Sequence, residues 1–166
     1  IAPPAGILPR ISANGLPMEA VHIDQSTLKS RPGYKANFLG TGKFSVALPK
    51  IPAALKSRIA TLKGSSRQSE LKYFNYSVVM NKERKFAFFS CVNIDGGKQQ
   101  DVGKREGDRW FKDTRIDKDV QIGDEFYKKQ STFEADRTAN PFDRGHLVRR
   151  LDATWGDTVA EAKEHG

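Results

Sequence analysis

The chain has 166 residues, 37% of them hydrophobic, which is enough for one ordinary core and too little for two. No apolar run is long enough to cross a bilayer, and the start at Ile1 lacks the basic flank and long hydrophobic stretch of a secretory signal, so no membrane association is expected. The net charge of +8 suits a polyanionic partner, and Cys91, the single cysteine, excludes an intramolecular disulfide.

Residues 1–50 hold six of the eight prolines and five glycines, the composition of an extended Pro/Gly-rich arm or linker, with the folded unit assigned to residues 51–166. Pro52, Leu55, Ile59 and Leu62, followed by Gly64, have the spacing of a short amphipathic helix packed on a sheet. Two β-rich runs follow, residues 73–80 and 85–94, and the polar Asn81-Lys82-Glu83-Arg84 between them predicts a hairpin. The second run places large apolar groups at both parities, the pattern of a central strand covered on both faces, and Cys91 within it reads as a buried inert thiol. Residues 96–141 are charged and loop-rich, with Trp110, Phe111, Ile116, Ile122, Phe126 and Tyr127 as core anchors. Residues 157–164 have the look of a short helix with a solvated acidic face. The fold class expected from this order is α+β.

The basic excess is uneven. Residues 1–97 carry 14 Lys+Arg against 5 Asp+Glu, and residues 98–166 carry 14 against 15, so any electrostatic cradle for a polyanion lies upstream of the locally mixed C-terminal part. In that mixed part stands Asp143-Arg144-Gly145-His146, followed by Leu147-Val148-Arg149-Arg150. Hydrolysis of a phosphodiester needs an activated water and neutralised charge at phosphorus. A histidine titrating near neutrality supplies the first, and a permanently charged planar guanidinium suits phosphate oxygens, which makes His146 and Arg144 the leading candidates. Gly145 lets the backbone turn between them. Asp143 is a poor direct phosphate contact; it reads as a group orienting Arg144 or His146 or lying near a metal's water shell, with a turn salt bridge as the alternative. Arg149 and Arg150 read equally as backbone phosphate contacts or as a solvated basic pair. Other signals are weak: Gly40-Thr41-Gly42-Lys43 lacks the spacing of a phosphate loop, and His22 and His165 have no partners at metal-ligand spacing.

Around this tetrapeptide the chain keeps several further blocks in order: Tyr76-Ser77-Val78-Val79-Met80-Asn81, Ala87-Phe88-Phe89 leading to Val92-Asn93-Ile94-Asp95-Gly96, and Asp108-Arg109-Trp110-Phe111-Lys112-Asp113 with Arg115-Ile116. A weaker block is Gly33-Tyr34 with Asn37-Phe38-Leu39-Gly40. Together they resemble the DNA/RNA non-specific endonucleases, the ββα-metal family that includes the Serratia nuclease and mitochondrial endonuclease G, and within it bacterial members carrying a DRGHLVRRLD segment.

The resemblance implies a ββα-metal nuclease fold, a twisted antiparallel sheet with packed helices, and metal-dependent hydrolysis of DNA and RNA without sugar specificity. It implies His146 as general base at the end of a β element, Arg144 on phosphate, and a transition-state arginine from the 108–113 block. Arg109 is the choice there, Arg105 the runner-up, and Arg115 reads instead as a structural ion-pair partner. It also implies one Mg²⁺ or Mn²⁺ held by an asparagine on the helix after the motif. Asn93 and Asn140 precede the motif and do not fit that position. The expectation is therefore an N-terminal part of the domain, incomplete at the C-terminus, with the metal ligand beyond Gly166 on a second polypeptide that continues the sequence. A homodimer and an upstream trypsin-like domain are further expectations, as is a bacterial cytoplasmic location with secretion as the alternative. The competing function is a non-catalytic nucleic-acid-binding or regulatory fragment of such a nuclease.

Overall fold

Three strands, β1 (Glu70–Lys72), β2 (Tyr76–Asn81) and β3 (Phe86–Val92), form an antiparallel sheet in the order β1-β2-β3 in the computed structural model, which describes residues 27–103, 110–128 and 144–166. The β2–β3 hairpin falls where the polar tetrapeptide predicts it. Asn81 closes the strand chemically: its Oδ1 accepts from the Glu83 and Arg84 amides at 3.0 and 3.1 Å, and its carbonyl accepts from the Lys85 amide at 2.8 Å. Val79 pairs with Phe89 and Met80 with Ala87, so Phe88 is the extra residue of a bulge.

The parity pattern assigns the central place to residues 85–94, but among the described strands β2 holds it. Five of the six residues of β2 are buried, whereas none of β3 is and Phe86 is 57% exposed. Ser77, Val78 and Val79 are small or β-branched and fit between neighbours on both sides, while the large phenylalanines of β3 stand at the edge of the described sheet. The expected helix over 52–63 is also shorter than its spacing suggests. It is a 3₁₀ helix, Ala53–Arg58, after which Ile59 bridges Asn81 and the Ala60 amide donates to the Met80 carbonyl at 2.9 Å. The reason lies in β1, whose pairing stops at Glu70 opposite Val79 and leaves the end of β2 with open backbone groups that the chain after Arg58 satisfies.

The core gathers Ala60, Leu71, Val78, Met80 and Ile116 on one face of the sheet, with Tyr73, Tyr76 and Val120 packed against it. Of the six anchors expected in residues 96–141, Ile116 is the fully buried one; Phe111 and Phe126 are exposed. Helix α1 (Asp124–Lys128) follows this segment. Two further helices, α2 (Arg150–Ala153) and α3 (Val159–His165), close the described chain. The helix expected over 157–164 is α3, capped by Thr158, whose side chain accepts from the Glu161 amide, while Glu161 Oε2 accepts from the Asp157 amide at 2.8 Å. This pair is latched to the sheet ends by Trp155 Nε1, which donates to the Asn93 carbonyl at 2.7 Å, and by Asn75 Nδ2, which donates to the Ala153 carbonyl at 2.9 Å, while His165 Nδ1 ties α3 to the preceding loop by donating to the Trp155 carbonyl at 2.7 Å. His165 therefore has a structural partner that spacing alone did not reveal.

Within the Pro/Gly-rich stretch, residues 33–35 bind the sheet directly. The Gly33 amide donates to the Tyr73 carbonyl at 2.7 Å, the Tyr34 amide to Ser77 Oγ at 2.8 Å, and the Lys35 amide to Asn93 Oδ1 at 2.7 Å. Gly33 has φ +77°, and a Cβ there would stand 2.7 Å from Ser77 Oγ, so this docking requires glycine.

Candidate active site

Arg144 and His146 open onto one cavity of about 350 Å³. Its floor is the core face of the sheet, Leu71, Val78 and Met80, and its walls include Trp110, Asp113 and Tyr127. Residues 144–149 are neither strand nor helix and lead into α2, so His146 sits on a loop; the residues before Arg144, where a preceding β element would lie, are outside the described residues. The loop is held to the sheet by Ser90, whose hydroxyl donates to the Leu147 carbonyl at 2.6 Å. A side chain on an irregular segment can face the cavity because no ladder or helix dictates its direction.

Each candidate group has an aromatic neighbour. The His146 ring lies 4.8 Å from the Trp110 ring, centroid to centroid, at an interplanar angle of 53°. The Arg144 guanidinium carbon stands over the Tyr127 ring at 4.9 Å. Trp110 is thus a half-buried wall of the cavity in contact with His146, where the sequence pattern suggests a core anchor.

The cavity wall is backed by a polar cluster of which Tyr73, Asp113 and Gln121 line the cavity. Asp113 Oδ2 accepts from Tyr73 Oη at 2.7 Å and Arg115 Nη2 at 2.7 Å, and Oδ1 accepts from the Arg115 amide at 2.8 Å and Nε at 3.1 Å. Gln121 brackets the same residue, accepting from the Asp113 amide at 2.7 Å and donating to its carbonyl at 2.8 Å. Arg115 Nη1 in turn donates to the Lys72 carbonyl at 2.6 Å and the Leu28 carbonyl at 3.2 Å. Burial opposes the charged form of Asp113, but the hydrogen bonds from Arg115 and Tyr73 and the nearby guanidinium outweigh it and hold the carboxyl below its ordinary range. Burial, reinforced by the Asp113 charge, pushes the Tyr73 phenol far above its ordinary value. With its oxygens so committed, Asp113 is a support and not a base. Arg115 is the structural ion-pair partner that the sequence suggests.

The other site candidates separate. Arg149 is exposed and 3.9 Å from Asp152, and neither it nor the half-buried Arg150 lines the cavity. Arg105, Arg109, Asn140 and Asp143 lie outside the described residues. Among the described residues no group of three or more His, Cys, Asp or Glu could hold a metal ion. The side chains of Asn75, Asn81 and Asn93 are engaged with backbone groups; Asn93, for example, accepts from the Lys35 amide and donates to the Lys35 carbonyl. Residues 147–166 contain no asparagine, so the stretch after the motif does not supply the metal ligand that the resemblance implies.

The sequence profile of the DNA/RNA non-specific endonucleases matches residues 56–165, a span that takes in the sheet, the polar cluster and the Arg144–His146 loop. This chain belongs to the DNA/RNA non-specific endonuclease family. An uncharacterized protein, y4fB, of Sinorhizobium fredii is 36% identical to it over 160 residues, covering 95% of this chain and 23% of that protein, so the chain spans less than a quarter of this relative's length. No solved structure matches the chain. The small antiparallel sheet with short helices is consistent with part of the ββα-metal fold of these endonucleases.

Proposed function

We propose that this chain supplies the general base, His146, and the phosphate-holding Arg144 of an endonuclease that hydrolyses phosphodiester bonds in DNA and RNA alike, with the metal ligand on a polypeptide that continues the sequence. The observation that carries the reading is the shared cavity: an imidazole and a guanidinium two residues apart open onto one space, with no other described histidine or arginine in its lining. His146 would take a proton from the attacking water, and Arg144 would donate to the non-bridging oxygens, where charge grows as phosphorus becomes pentacovalent. Both contacts address groups common to every nucleotide, so neither base nor sugar is read.

Arg109, with Arg105 as its alternative, is proposed as a second phosphate arginine, and Asp143 as an orienting group. Arg149 and Arg150, away from the cavity, are proposed as flanking contacts to the nucleic-acid backbone. Dependence on Mg²⁺ or Mn²⁺ belongs to the proposal through family membership, and no step is routed through the ion. The competing reading is a non-catalytic nucleic-acid-binding or regulatory fragment of such a nuclease.

Plasmid nicking and RNA cleavage by the chain together with its natural remainder, in Mg²⁺ and in Mn²⁺, beside a DNA-binding titration at fixed salt, separate the two. Under the leading reading His146→Ala loses cleavage by at least about a hundredfold and keeps DNA binding. Wild-type protein that binds DNA and never nicks it supports the second reading.

A further inference from the structure

The geometry points to Trp110 and Tyr127 as positioning residues that seat the two groups of the cavity, Trp110 acting through His146 and Tyr127 through Arg144; the inference rests on the roles proposed for those two groups. His146 belongs to an exposed loop and follows Gly145, the residue type that restrains its backbone least. A general base must nonetheless present one nitrogen along a fixed line to the water it deprotonates, since small misplacements of a reacting group are costly in rate. The indole 4.8 Å away restrains the imidazole through its ring and consumes neither nitrogen's hydrogen-bonding capacity.

What qualifies Trp110 for this task is its mounting. It stands three residues before Asp113, the most heavily bonded residue of the cavity wall, which Tyr73, Arg115 and Gln121 fix from three directions. Trp110 thus enters the cavity wall close along the chain to its firmest anchor, while the His146 ring it meets is exposed. Tyr127 does the equivalent for Arg144 from α1. A guanidinium over a ring keeps its N–H donors in its own plane, so the contact at 4.9 Å steadies the charge without spending a donor that phosphate would use. Neither role needs the Tyr127 hydroxyl.

Steady-state cleavage of one oligonucleotide by variants checked for folding by their melting temperatures tests this. Trp110→Ala should lower kcat about tenfold with KM little changed, and Trp110→Phe should recover most of the loss, as expected for an aromatic contact made to a catalytic group. Tyr127→Leu should instead raise KM, and Tyr127→Phe should restore it. Chemical rescue ties Trp110 to His146: His146→Gly should regain cleavage with added imidazole, and adding Trp110→Ala should raise the imidazole concentration required. Full cleavage by His146→Gly without imidazole would sink the general-base assignment itself. A normal kcat in Trp110→Ala, or an imidazole requirement that is the same with and without Trp110, overturns the positioning role while leaving that assignment standing. Should Trp110→Ala fail to fold, Trp110→Leu takes its place and the same kcat comparison decides.

Discussion

Residues 113–121 and residues 144–148 face the same cavity and are built in opposite ways. The first stretch is a knot: one carboxylate, one guanidinium, one phenol and one amide satisfy one another, with Arg115 and Asp113 side chains only 13% and 9% exposed. The second is an exposed loop that the Ser90 hydroxyl ties to the sheet through the Leu147 carbonyl. Shifted titrations, Tyr73 upward and Asp113 downward, meet in the knot, and shifted titrations are commonly used to find active sites. Here they mark the scaffold. A carboxylate held ionised by several donors has no capacity left to take a proton from water, whereas the loop carries the groups suited to the chemistry.

The contrast is broken most directly by removing one member from each region. Asp113→Ala leaves Arg115 buried without its counter-charge and Tyr73 without its acceptor, so it should cost about 3–5 kcal/mol of stability in denaturant unfolding. His146→Ala, at an exposed position, should change stability by no more than about 0.5 kcal/mol while abolishing cleavage. Equal stability loss in the two variants would dissolve the distinction between scaffold and site. Next in size, Gly33→Ala should cost about 2 kcal/mol, because it combines a left-handed backbone with a Cβ that runs into Ser77 Oγ and Lys72. A melting curve unchanged by this substitution would mean that residues 33–35 are not docked on the sheet as described.

The knot also predicts a pH dependence. An unfolded aspartate titrates near about 3.9, and the folded Asp113 titrates lower. Its contribution is therefore complete above about pH 4 and is lost as pH falls through the lower folded value. Tyr73 works at the other end: its folded value is raised, so its contribution is complete below the unfolded value near about 10 and is lost as pH rises beyond it. Asp113→Asn should remove most of the acid-side loss; an unchanged acid limb would place its cause in other carboxylates.

What the sequence shows of all this follows from which forces are local. The β2–β3 hairpin was legible because its turn chemistry lies within Asn81-Lys82-Glu83-Arg84. β1 was not, since Glu70-Leu71-Lys72 is too short to show alternation, and the exchange of central and edge places between β2 and β3 depends on which strand acquires a second neighbour. The tetrapeptide containing Arg144 and His146 pointed to the cavity, and Arg115 was read as a structural ion-pair partner, with Asp113 as that partner emerging only from the fold. Trp110 beside His146, Tyr127 beneath Arg144 and Tyr73 on Asp113 are contacts between distant segments, invisible to any pattern along the chain.

The smallest expected effect tests how little holds the loop. Ser90→Ala deletes the 2.6 Å hydrogen bond to the Leu147 carbonyl, one residue after His146. Because the bond is exposed, water can replace the lost donor, and stability should fall by only about 0.5 kcal/mol. Cleavage should suffer more than stability does, by a few-fold in kcat, since a loop released from β3 samples orientations in which the imidazole no longer faces the phosphate. The pairing of a nearly unchanged melting temperature with a reduced kcat is the signature expected of a tether to the site. If kcat is unchanged as well, the loop is positioned by its aromatic neighbours and by α2, and the tether from β3 is incidental to its placement.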